Sequence, residues 1–287
     1  MSSQAPLLIT GGSGYLGRHL TVKAAKTFAV TATYHREAEA IEAGQPLRLD
    51  ITNRSAVLET VAALKPRAII HTAAINPGRG DEGVMKRVNA EGSRYVAEAA
   101  VAVGARLIHV STDVVHDGRQ APYADESPPN PLNGYGRSKA AAEANVAVVD
   151  PRAVIVRTSL IYGLEEMDRG TAGFAARLVQ GEPLVLFSDV IRQPVWVETL
   201  AEALLRLIEI EVSGSLNVAG RQALTREAFG RRLLTYWGVA GQDRVTSSRA
   251  ADISSAIPLD LRLSVAKGER LLGMRFVGVD EVLDMIV

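Results

Sequence analysis

Tyr135 and Lys139 stand four residues apart, at the start of an alanine-rich stretch. Alanine favours the helix strongly and glycine-rich residues precede it, so we predict a helix that begins near Tyr135. Side chains four positions apart lie on one face of a helix, so the phenol and the amine should face the same way. A phenol has an ordinary pKa near ~10, which a nearby ammonium group lowers. The pair could therefore transfer a proton, although the spacing alone is more typical of an ordinary surface helix.

The composition is that of a globular protein, because 47% of the 287 residues are hydrophobic and 22% are charged. Thirty-two basic and thirty-two acidic residues give a net charge of zero, which favours neither nucleic acid nor an anionic membrane as a partner. There is no cysteine, and the histidines form no ligand pattern, so we predict no metal site. No stretch resembles a signal peptide or approaches the ~20 apolar residues of a membrane span, so we expect a cytoplasmic protein.

Short apolar runs alternate with helical patterns through the first half of the chain. Strands are predicted at residues 7–9, 29–34, 47–49, 68–71, 106–110 and 153–157, and helices at residues 15–26, 55–64, 84–103 and from Tyr135 onward. This alternation predicts an α/β fold in which right-handed crossovers join a doubly wound parallel sheet, as in Rossmann-like proteins. The pattern is less regular beyond. We therefore expect a nucleotide-binding domain over residues 1–170 and a small α/β lobe over residues 171–287, with segments that return to the first domain.

A glycine-rich loop, residues 11–17, follows the first predicted strand. Its glycines permit a tight turn and the close approach of a pyrophosphate, and the next helix offers free N–H groups and a positive dipole end. Glycine loops also form plain turns, but the position between a strand and a helix favours dinucleotide binding. The predicted contacts are Gly11, Gly14, Tyr15, Leu16 and Gly17.

Two further positions bear on the choice of dinucleotide. The second strand is followed by His35 and Arg36, where a site that prefers NAD usually has an acidic residue. Arg36 could meet a 2′-phosphate, so NADP(H) is favoured and NAD(H) is the alternative; exposed basic residues in a loop are the other interpretation. Asp50 follows the third strand and could accept a hydrogen bond from adenine, or help to cap the helix near Asn53.

As a set, these motifs resemble the extended short-chain dehydrogenase/reductase family. The resemblance rests on the glycine loop together with Asp50-Ile51, His71-Thr72-Ala73-Ala74, Asn89, Ser111-Thr112-Asp113, Tyr135 and Lys139. The run from Ser111 to Glu126 is most similar to the dTDP-4-dehydrorhamnose reductase branch of that family. The similarity covers the first two-thirds of the chain well and the remainder loosely.

The resemblance implies cofactor contacts beyond the glycine loop. Ala73 and Ala74 would line the cofactor, and their small side chains would let the nucleotide approach. Ile51 and Ser111 are expected to contact the cofactor as well. Asn89 would hold the active-site helix or a bound water, although a helical asparagine also bonds readily to a neighbouring backbone group.

The resemblance also implies a reaction, the NAD(P)H-dependent reduction of a keto group, expected on a nucleotide-activated deoxysugar. Thr112 would donate a hydrogen bond to the substrate oxygen, and Tyr135 would give that oxygen its proton. Lys139 would lower the pKa of Tyr135 and bind the nicotinamide ribose. The protein would orient and polarise, while the cofactor carries the redox chemistry.

The substrate pocket is expected to differ from the family pattern. His116 stands where related sequences usually carry an aromatic residue, and it is either a substrate contact or an exposed loop histidine. Arg192 stands where relatives bring polar groups to the nucleotide sugar, and its planar fork suits a diphosphate. An exposed strand arginine is the alternative interpretation. Residues 165–170 are polar and could form a flap over the site.

Two other functional classes stay open. One is an NAD-dependent epimerase or dehydratase of the same family, which Asp113 beside Thr112 keeps possible. The other is a non-catalytic NADP-binding subunit, like the related regulatory subunit of methionine adenosyltransferase. In all three classes the ligand is a small molecule, and a homodimer is an open alternative to a monomer.

Overall fold

Apolar runs of the sequence form strands, and the periodic stretches between them form helices, in the computed structural model, which describes residues 4–285. The strands are β1 (Pro6–Thr10), β2 (Ala29–Tyr34), β3 (Gln45–Arg48), β4 (Ala68–His71), β5 (Arg106–Thr112), β6 (Val154–Thr158), β7 (Ile161–Tyr162), β8 (Leu184–Phe187), β9 (Ile191–Arg192), β10 (Val195–Trp196), β11 (Gly214–Asn217), β12 (Leu224–Thr225) and β13 (Val245–Ser248). The α-helices are α1 (Tyr15–Ala24), α2 (Arg54–Leu64), α3 (Glu82–Met85), α4 (Gly92–Val103), α5 (Gly134–Val149), α6 (Arg169–Val179), α7 (Val197–Arg206), α8 (Arg226–Tyr236), α9 (Ala266–Leu272) and α10 (Val279–Asp284).

Seven parallel strands form the central sheet, in the order β11-β6-β5-β4-β1-β2-β3. Because β1 pairs with β2 on one side and with β4 on the other, the chain reverses its direction of winding between β1 and β4. This is the doubly wound, Rossmann-like α/β fold that the sequence predicts. Ligands of such folds bind beyond the carboxyl ends of the strands at this reversal, which are Thr10 and His71 here.

The central strands are apolar because helices cover both faces of the sheet. In β4, Ile69 and Ile70 point to opposite faces and are both fully buried. Ile70 packs with α1 and α7 on one face, whereas Ile69 packs with α2 and α4 on the other. Full burial of such a side chain contributes about 1.5–3 kcal/mol, so the two layers fix the sheet that carries the site.

The clearest departure from the predicted elements lies in the third crossover. The helix predicted at residues 84–103 begins earlier, as α3, and runs through a π-helical stretch, Lys86–Glu91, into α4. Asp81 caps this start by accepting a hydrogen bond from the Val84 amide. A π turn leaves no mark in the apolar periodicity, so the sequence gives no warning of it. Asn89 lies within the π stretch.

The segment predicted to be a flap, residues 165–170, is tied to α1 and to α6. The Arg18 guanidinium lies 2.5 Å from a Glu166 carboxylate oxygen, and the Tyr15 hydroxyl donates to the Glu166 carbonyl oxygen at 3.2 Å. Asp168 then caps α6 by accepting hydrogen bonds from the Gly170 and Thr171 amides. These contacts hold the segment before α6 against the first turn of α1.

The last third of the chain contributes to both parts of the molecule. β11 pairs with β6 at one edge of the central sheet, and α7 packs with α1 in the core. Short pairs form elsewhere, namely β7 with β10, β8 with β13 and β9 with β12. The domain boundary near residue 170 stays a prediction. Between residues 4 and 285, no helix is long and apolar enough to cross a membrane.

We predict opposite effects of glycine-to-alanine changes at two helical positions. Alanine stabilises an open helical site by up to ~1 kcal/mol, so Gly173→Ala in α6, where a Cβ meets nothing within 4 Å, should raise the free energy of unfolding. Gly17→Ala should lower it, by ~1–3 kcal/mol, because a Cβ there overlaps the Gly12 Cα at 2.8 Å and the Gly11 carbonyl. Urea unfolding of both variants checks this, and stabilisation by Gly17→Ala would contradict the packing described here.

Candidate active site

The glycine loop, which forms the turn after β1, packs closely against the residues that follow β4. Gly11 has a φ of 73°, a left-handed conformation that favours glycine, and a Cβ there would lie 2.7 Å from the Ala73 backbone nitrogen. The Gly14 amide closes the turn by donating to the Gly11 carbonyl at 2.9 Å. The small Ala73, predicted as a cofactor contact, therefore lies at the mouth of this turn.

The turn opens directly into the N-terminus of α1. The helical hydrogen bonds begin with the Arg18 amide, which donates to the Gly14 carbonyl at 2.9 Å. The amides of Tyr15, Leu16 and Gly17 come before that bond and have no acceptor within the helix. Free amides and the positive end of the helix dipole suit a pyrophosphate. The glycine cradle and this helix end fit a dinucleotide, as the sequence predicts.

The other predicted cofactor contacts are spread along the same edge of the sheet. Arg36 lies exposed just beyond β2, and Ala74 lies exposed just beyond β4. Ile51 is buried in the core beside α2. The strands β2 and β4 flank β1 in the parallel sheet, so their carboxyl ends bring Arg36 and Ala74 to the same edge, as the predicted site requires.

Asp50 does not cap the helix that follows it. Its carboxylate accepts hydrogen bonds from the Thr52 amide at 2.9 Å and from the Thr52 hydroxyl at 2.7 Å. The cap of α2 is Asn53, which accepts from the Ala56 amide at 3.1 Å. The exposed Asp50 carboxylate stays at the edge of the sheet, where a bound adenine remains its predicted partner.

Helix α5 begins where the sequence predicts, and Lys139 on its polar face contacts β5. Asn133 caps it by accepting a hydrogen bond from the Gly136 amide at 2.9 Å. The buried Lys139 donates from Nζ to the Val110 carbonyl at 2.7 Å. Burial lowers the pKa of Lys139 to about 8, and the Glu143 carboxylate opposes that shift.

Asn89 holds α5 from the opposite side. Its side-chain amide accepts from the Ile75 amide at 2.8 Å, donates to the Ile75 carbonyl at 3.1 Å and donates to the Ser138 hydroxyl at 2.9 Å. Ser138 follows Tyr135 by three residues. The π-helical stretch therefore positions a fully buried amide that fastens the loop after β4 to the active-site helix.

Tyr135 lies next to Thr112 at the carboxyl end of β5. Burial and the nearby Asp113 carboxylate raise the pKa of Tyr135 to about 12, against the lowering effects of Arg192 and of a hydrogen bond with Thr112. Lys139, whose ammonium binds the Val110 carbonyl, is not among the groups that shift the pKa of Tyr135 here. The phenol is consequently protonated at neutral pH.

Arg192 and Asp113 form a buried ion pair beside Tyr135. Arg192 donates from Nε to one Asp113 oxygen at 2.8 Å and from Nη2 to the other at 2.5 Å. Arg192 is 8% exposed and Asp113 is fully buried, so the alternative of an exposed strand arginine is wrong. Much of the fork that was expected to meet a diphosphate is thus already engaged by a carboxylate.

His116 is enclosed rather than exposed. Its ring stacks on Tyr123 with 4.0 Å between the centroids and 7° between the planes, and the residue is fully buried. Burial, with a smaller effect of Arg157, lowers the pKa of His116 to about 4, so the ring is neutral. The alternative of an exposed loop histidine is wrong, and the enclosed ring offers no surface to a substrate in this structure.

Sequence reasoning missed three charged groups around the site. The carboxylate of Glu143, one turn beyond Lys139, accepts a hydrogen bond from the Ser111 hydroxyl at 2.5 Å. Ser111 is a predicted cofactor contact, so its hydroxyl is already engaged by Glu143. Arg157, at the end of β6, donates to the same carboxylate. Arg226, at the start of α8, lies near both Arg192 and Asp113. The spacing of Glu143 from Lys139 could have revealed it, whereas nothing local in the sequence indicates Arg226.

Arg226 follows a strand that pairs with the strand of Arg192. In the antiparallel pair, Leu224 lies opposite Arg192, and the Arg226 amide donates to the Val190 carbonyl at 2.8 Å. Between residues 4 and 285 its guanidinium has no hydrogen-bonded partner. Burial and the nearby Arg192 lower its pKa to about 10. The nearby carboxylates of Asp168 and Asp113 oppose that lowering.

No group of three or more histidine, aspartate or glutamate side chains converges within the described part of the chain in a way that could hold a metal ion. The site combines the Tyr135 phenol, the Thr112 hydroxyl and the Lys139 ammonium with three guanidinium groups and the carboxylates of Asp113 and Glu143, beside a dinucleotide cradle.

Comparisons with known proteins agree with this geometry. The family model for the RmlD substrate binding domain matches residues 5–277. A dTDP-4-dehydrorhamnose reductase of Streptomyces griseus is 33% identical over 217 residues, which cover 72% of this chain and 66% of that protein, just under two thirds of its length. A dTDP-4-dehydrorhamnose reductase of Mycobacterium tuberculosis is 33% identical over 260 residues, or 87% of this chain and 79% of that protein.

Solved structures are similar over almost the whole chain. The dTDP-4-dehydrorhamnose reductase of Bacillus anthracis, solved in complex with NADP, has a TM-score of 0.83 and 26% identity, and 98% of each chain is covered. The Bordetella bronchiseptica enzyme WbmG, in complex with NAD and UDP, has a TM-score of 0.84 at 21% identity, which shows the shared fold alone. This chain belongs to the RmlD substrate binding domain family, within the extended short-chain dehydrogenases/reductases.

Proposed function

We propose that this protein is an NADPH-dependent reductase of a keto group on a nucleotide-activated deoxysugar, with a cytoplasmic location. The observation that carries the proposal is the position of Tyr135, a protonated phenol beside the Thr112 hydroxyl at the carboxyl end of β5. One turn further along α5, Lys139 is buried against the same strand. This arrangement places a proton donor at the strand ends where the dinucleotide cradle opens.

The chain's own residues define where the cofactor would be held. The amides that begin α1 would bind the pyrophosphate, and Gly11 with Ala73 would let it approach the backbone. Arg36 would meet the 2′-phosphate, which makes NADP(H) the favoured cofactor and NAD(H) the alternative. Arg169, at the start of α6, lies near Arg18 and Arg79 and adds positive charge at the same edge. When bound, the nicotinamide supplies the hydride.

Tyr135 supplies the proton that completes the reduction. As the carbonyl carbon accepts a hydride, the π electrons of the C=O bond move to oxygen, which takes the phenolic proton and becomes a hydroxyl. A phenol whose pKa is about 12 holds this proton throughout the neutral range. The Thr112 hydroxyl is hydrogen-bonded with Tyr135 and donates to Asp113 only over a long distance, 3.2 Å. It can therefore turn to donate to the substrate oxygen.

The positive side of the cleft suits the diphosphate of a nucleotide sugar. Arg192 is bound to Asp113, and Arg226 lies near Asp168 and Asp113 without a hydrogen bond to either carboxylate in the described part of the chain. The Arg226 guanidinium therefore keeps its donors available beside the proton donor. Because the Arg226 guanidinium has no engaged partner, it is the group we assign to the substrate phosphates, with Arg192 held ready by Asp113.

The state of Asp113 weighs against a dehydratase. An additional acid–base group next to Thr112 must be free to exchange protons with a substrate. Asp113 is fully buried and bound through both oxygens to Arg192, so it cannot serve that role in this structure. An epimerase or a non-catalytic subunit is distinguished by absorbance at the nicotinamide band, since a reductase alone consumes NADPH stoichiometrically.

Tyr135→Phe is expected to reduce turnover of dTDP-4-dehydrorhamnose by at least ~100-fold, the scale of losing a positioned proton donor. The affinity for NADPH should stay nearly unchanged, because the ring remains. The matched control is Tyr162→Phe, since the buried Tyr162 hydroxyl has no hydrogen-bonded partner. Stopped-flow absorbance and fluorescence titration measure the two quantities. Wild-type turnover in Tyr135→Phe would reject the proposed role.

Arg226→Gln is expected to raise the KM for the nucleotide sugar by ~10-fold or more, because a charge-assisted bond to phosphate is lost. The dissociation constant for NADPH should not change. Arg231→Gln, on the same helix but paired with Glu227, is the control and should leave the KM unchanged. An unchanged KM in Arg226→Gln would remove Arg226 from the substrate site while leaving the role of Tyr135 intact.

A further inference from the structure

Glu143 has no role in the reaction described above, yet it is enclosed in the wall of the active site. It lies on α5 one turn beyond Lys139 and two turns beyond Tyr135, and it is 4% exposed. Burial of a carboxylate is costly unless charged or polar groups compensate it. The groups that surround the Glu143 carboxylate therefore indicate the role of its charge.

Two side chains bind the Glu143 carboxylate from neighbouring strands. Arg157, on β6, donates from Nη2 at 2.7 Å and from Nε at 3.2 Å to one oxygen, and Nε lies 3.1 Å from the other. The Ser111 hydroxyl, on β5, donates to that second oxygen at 2.5 Å. The remaining Arg157 nitrogen donates to the carbonyl oxygens of Asp125 and Ser127, at 3.1 Å and 2.8 Å. The carboxylate is consequently held from both sides and cannot swing away.

Glu143 and Lys139 contact adjacent residues of β5. Lys139 bonds to the carbonyl of Val110, and Glu143, one helical turn later, bonds to the side chain of the next strand residue, Ser111. Residues four apart on α5 thus meet consecutive residues of β5. The two contacts fix both the rotation and the height of α5 against the strand end.

Several titratable side chains near the Lys139 ammonium are uncharged, so they do not balance its charge. On α5, Tyr135 is neutral, and the rings of His71 on β4 and His109 on β5 lie near the ammonium. Burial holds the pKa of His71 to about 3 and that of His109 well below its ordinary value, so both rings are uncharged.

Two further charged groups lie near this face. Arg157 adds a second cation, and Asp113 is bound by Arg192 on the far side of Tyr135. Glu143 lies one helical turn from Lys139 and binds the next residue of β5, so its carboxylate is near the ammonium and opposes the effect of burial on the Lys139 pKa.

We propose that Glu143 is a positioning residue that keeps Lys139 protonated and seated against β5, and that Ser111 and Arg157 hold Glu143 in place for this purpose. The inference rests on the proposed function only for the contact between Lys139 and the ribose of the cofactor. Lys139 donates three hydrogen bonds as an ammonium but only two as an amine, and it loses its charge as well. Loss of the Glu143 charge therefore removes ribose binding at a lower pH.

The test is the pH dependence of NADP⁺ affinity, measured by fluorescence quenching without substrate between pH 6 and 9.5. In the wild type, affinity should fall with a midpoint near pH 8, where Lys139 loses its proton. In Glu143→Gln, which keeps the shape and the bond from Ser111, the midpoint should move down by about one pH unit. Glu143→Asp, which retains the charge, should restore much of the shift.

Glu98→Gln is the matched control, because Glu98 is a helical carboxylate paired with the exposed Arg54, and its midpoint should equal that of the wild type. Because Glu143→Gln leaves Arg157 unpaired, Arg157→Met is the second variant: it removes a cation but keeps the Glu143 charge, so its midpoint should not fall below that of the wild type. An unchanged midpoint in folded Glu143→Gln, or a fall of the same size in Arg157→Met, would overturn the proposal. The predicted midpoints without reduction of a nucleotide sugar would support the role of Glu143 and contradict the reductase function.

Discussion

The contact between the Lys139 ammonium and the Val110 carbonyl is the constraint on which the rest of the site depends. It carries a buried positive charge to the carboxyl end of β5, and it turns the face of α5 that holds Tyr135 toward the same point. A buried ammonium is tolerated only where acceptors and a counter-charge surround it. Val110 and Glu143 meet that requirement, so the catalytic face of the helix is set by electrostatics as much as by apolar packing.

The charges of the site are divided into two compartments by Tyr135. On one side, Glu143 binds Arg157 and lies near Lys139; on the other, Asp113 binds Arg192 and lies near Arg226. Arg226 also lies near Asp168. Among the residues described, no carboxylate forms an ion pair with the Lys139 ammonium or the Arg226 guanidinium. These two cations suit the two anionic parts of a reductase complex, the dinucleotide and the diphosphate of the substrate. The phenol between them is kept protonated by burial and by Asp113, as reduction requires.

The sequence predicts the sheet, the glycine cradle and the face of α5, because these follow from local periodicity and from spacing within one element. Asn89 was also identified, although the π-helical stretch that aims its amide was not. The sequence does not predict what depends on distant pairing. Arg192 was expected to be free for phosphate but is bound to Asp113, 79 residues away, and Arg226 reaches the site only because β12 pairs with β9. His116 was placed in solvent or at the substrate, since its stacking on Tyr123 has no local signature.

A crystal structure of the protein with NADP⁺ tests the central claim most directly. The nicotinamide ribose should lie within ~3 Å of the Lys139 nitrogen, and the Tyr135 hydroxyl and the nicotinamide C4 should face one open space beside Thr112. The pyrophosphate should lie on the first amides of α1. A ribose bound away from Lys139, or a Tyr135 hydroxyl turned from the nicotinamide, would contradict the account.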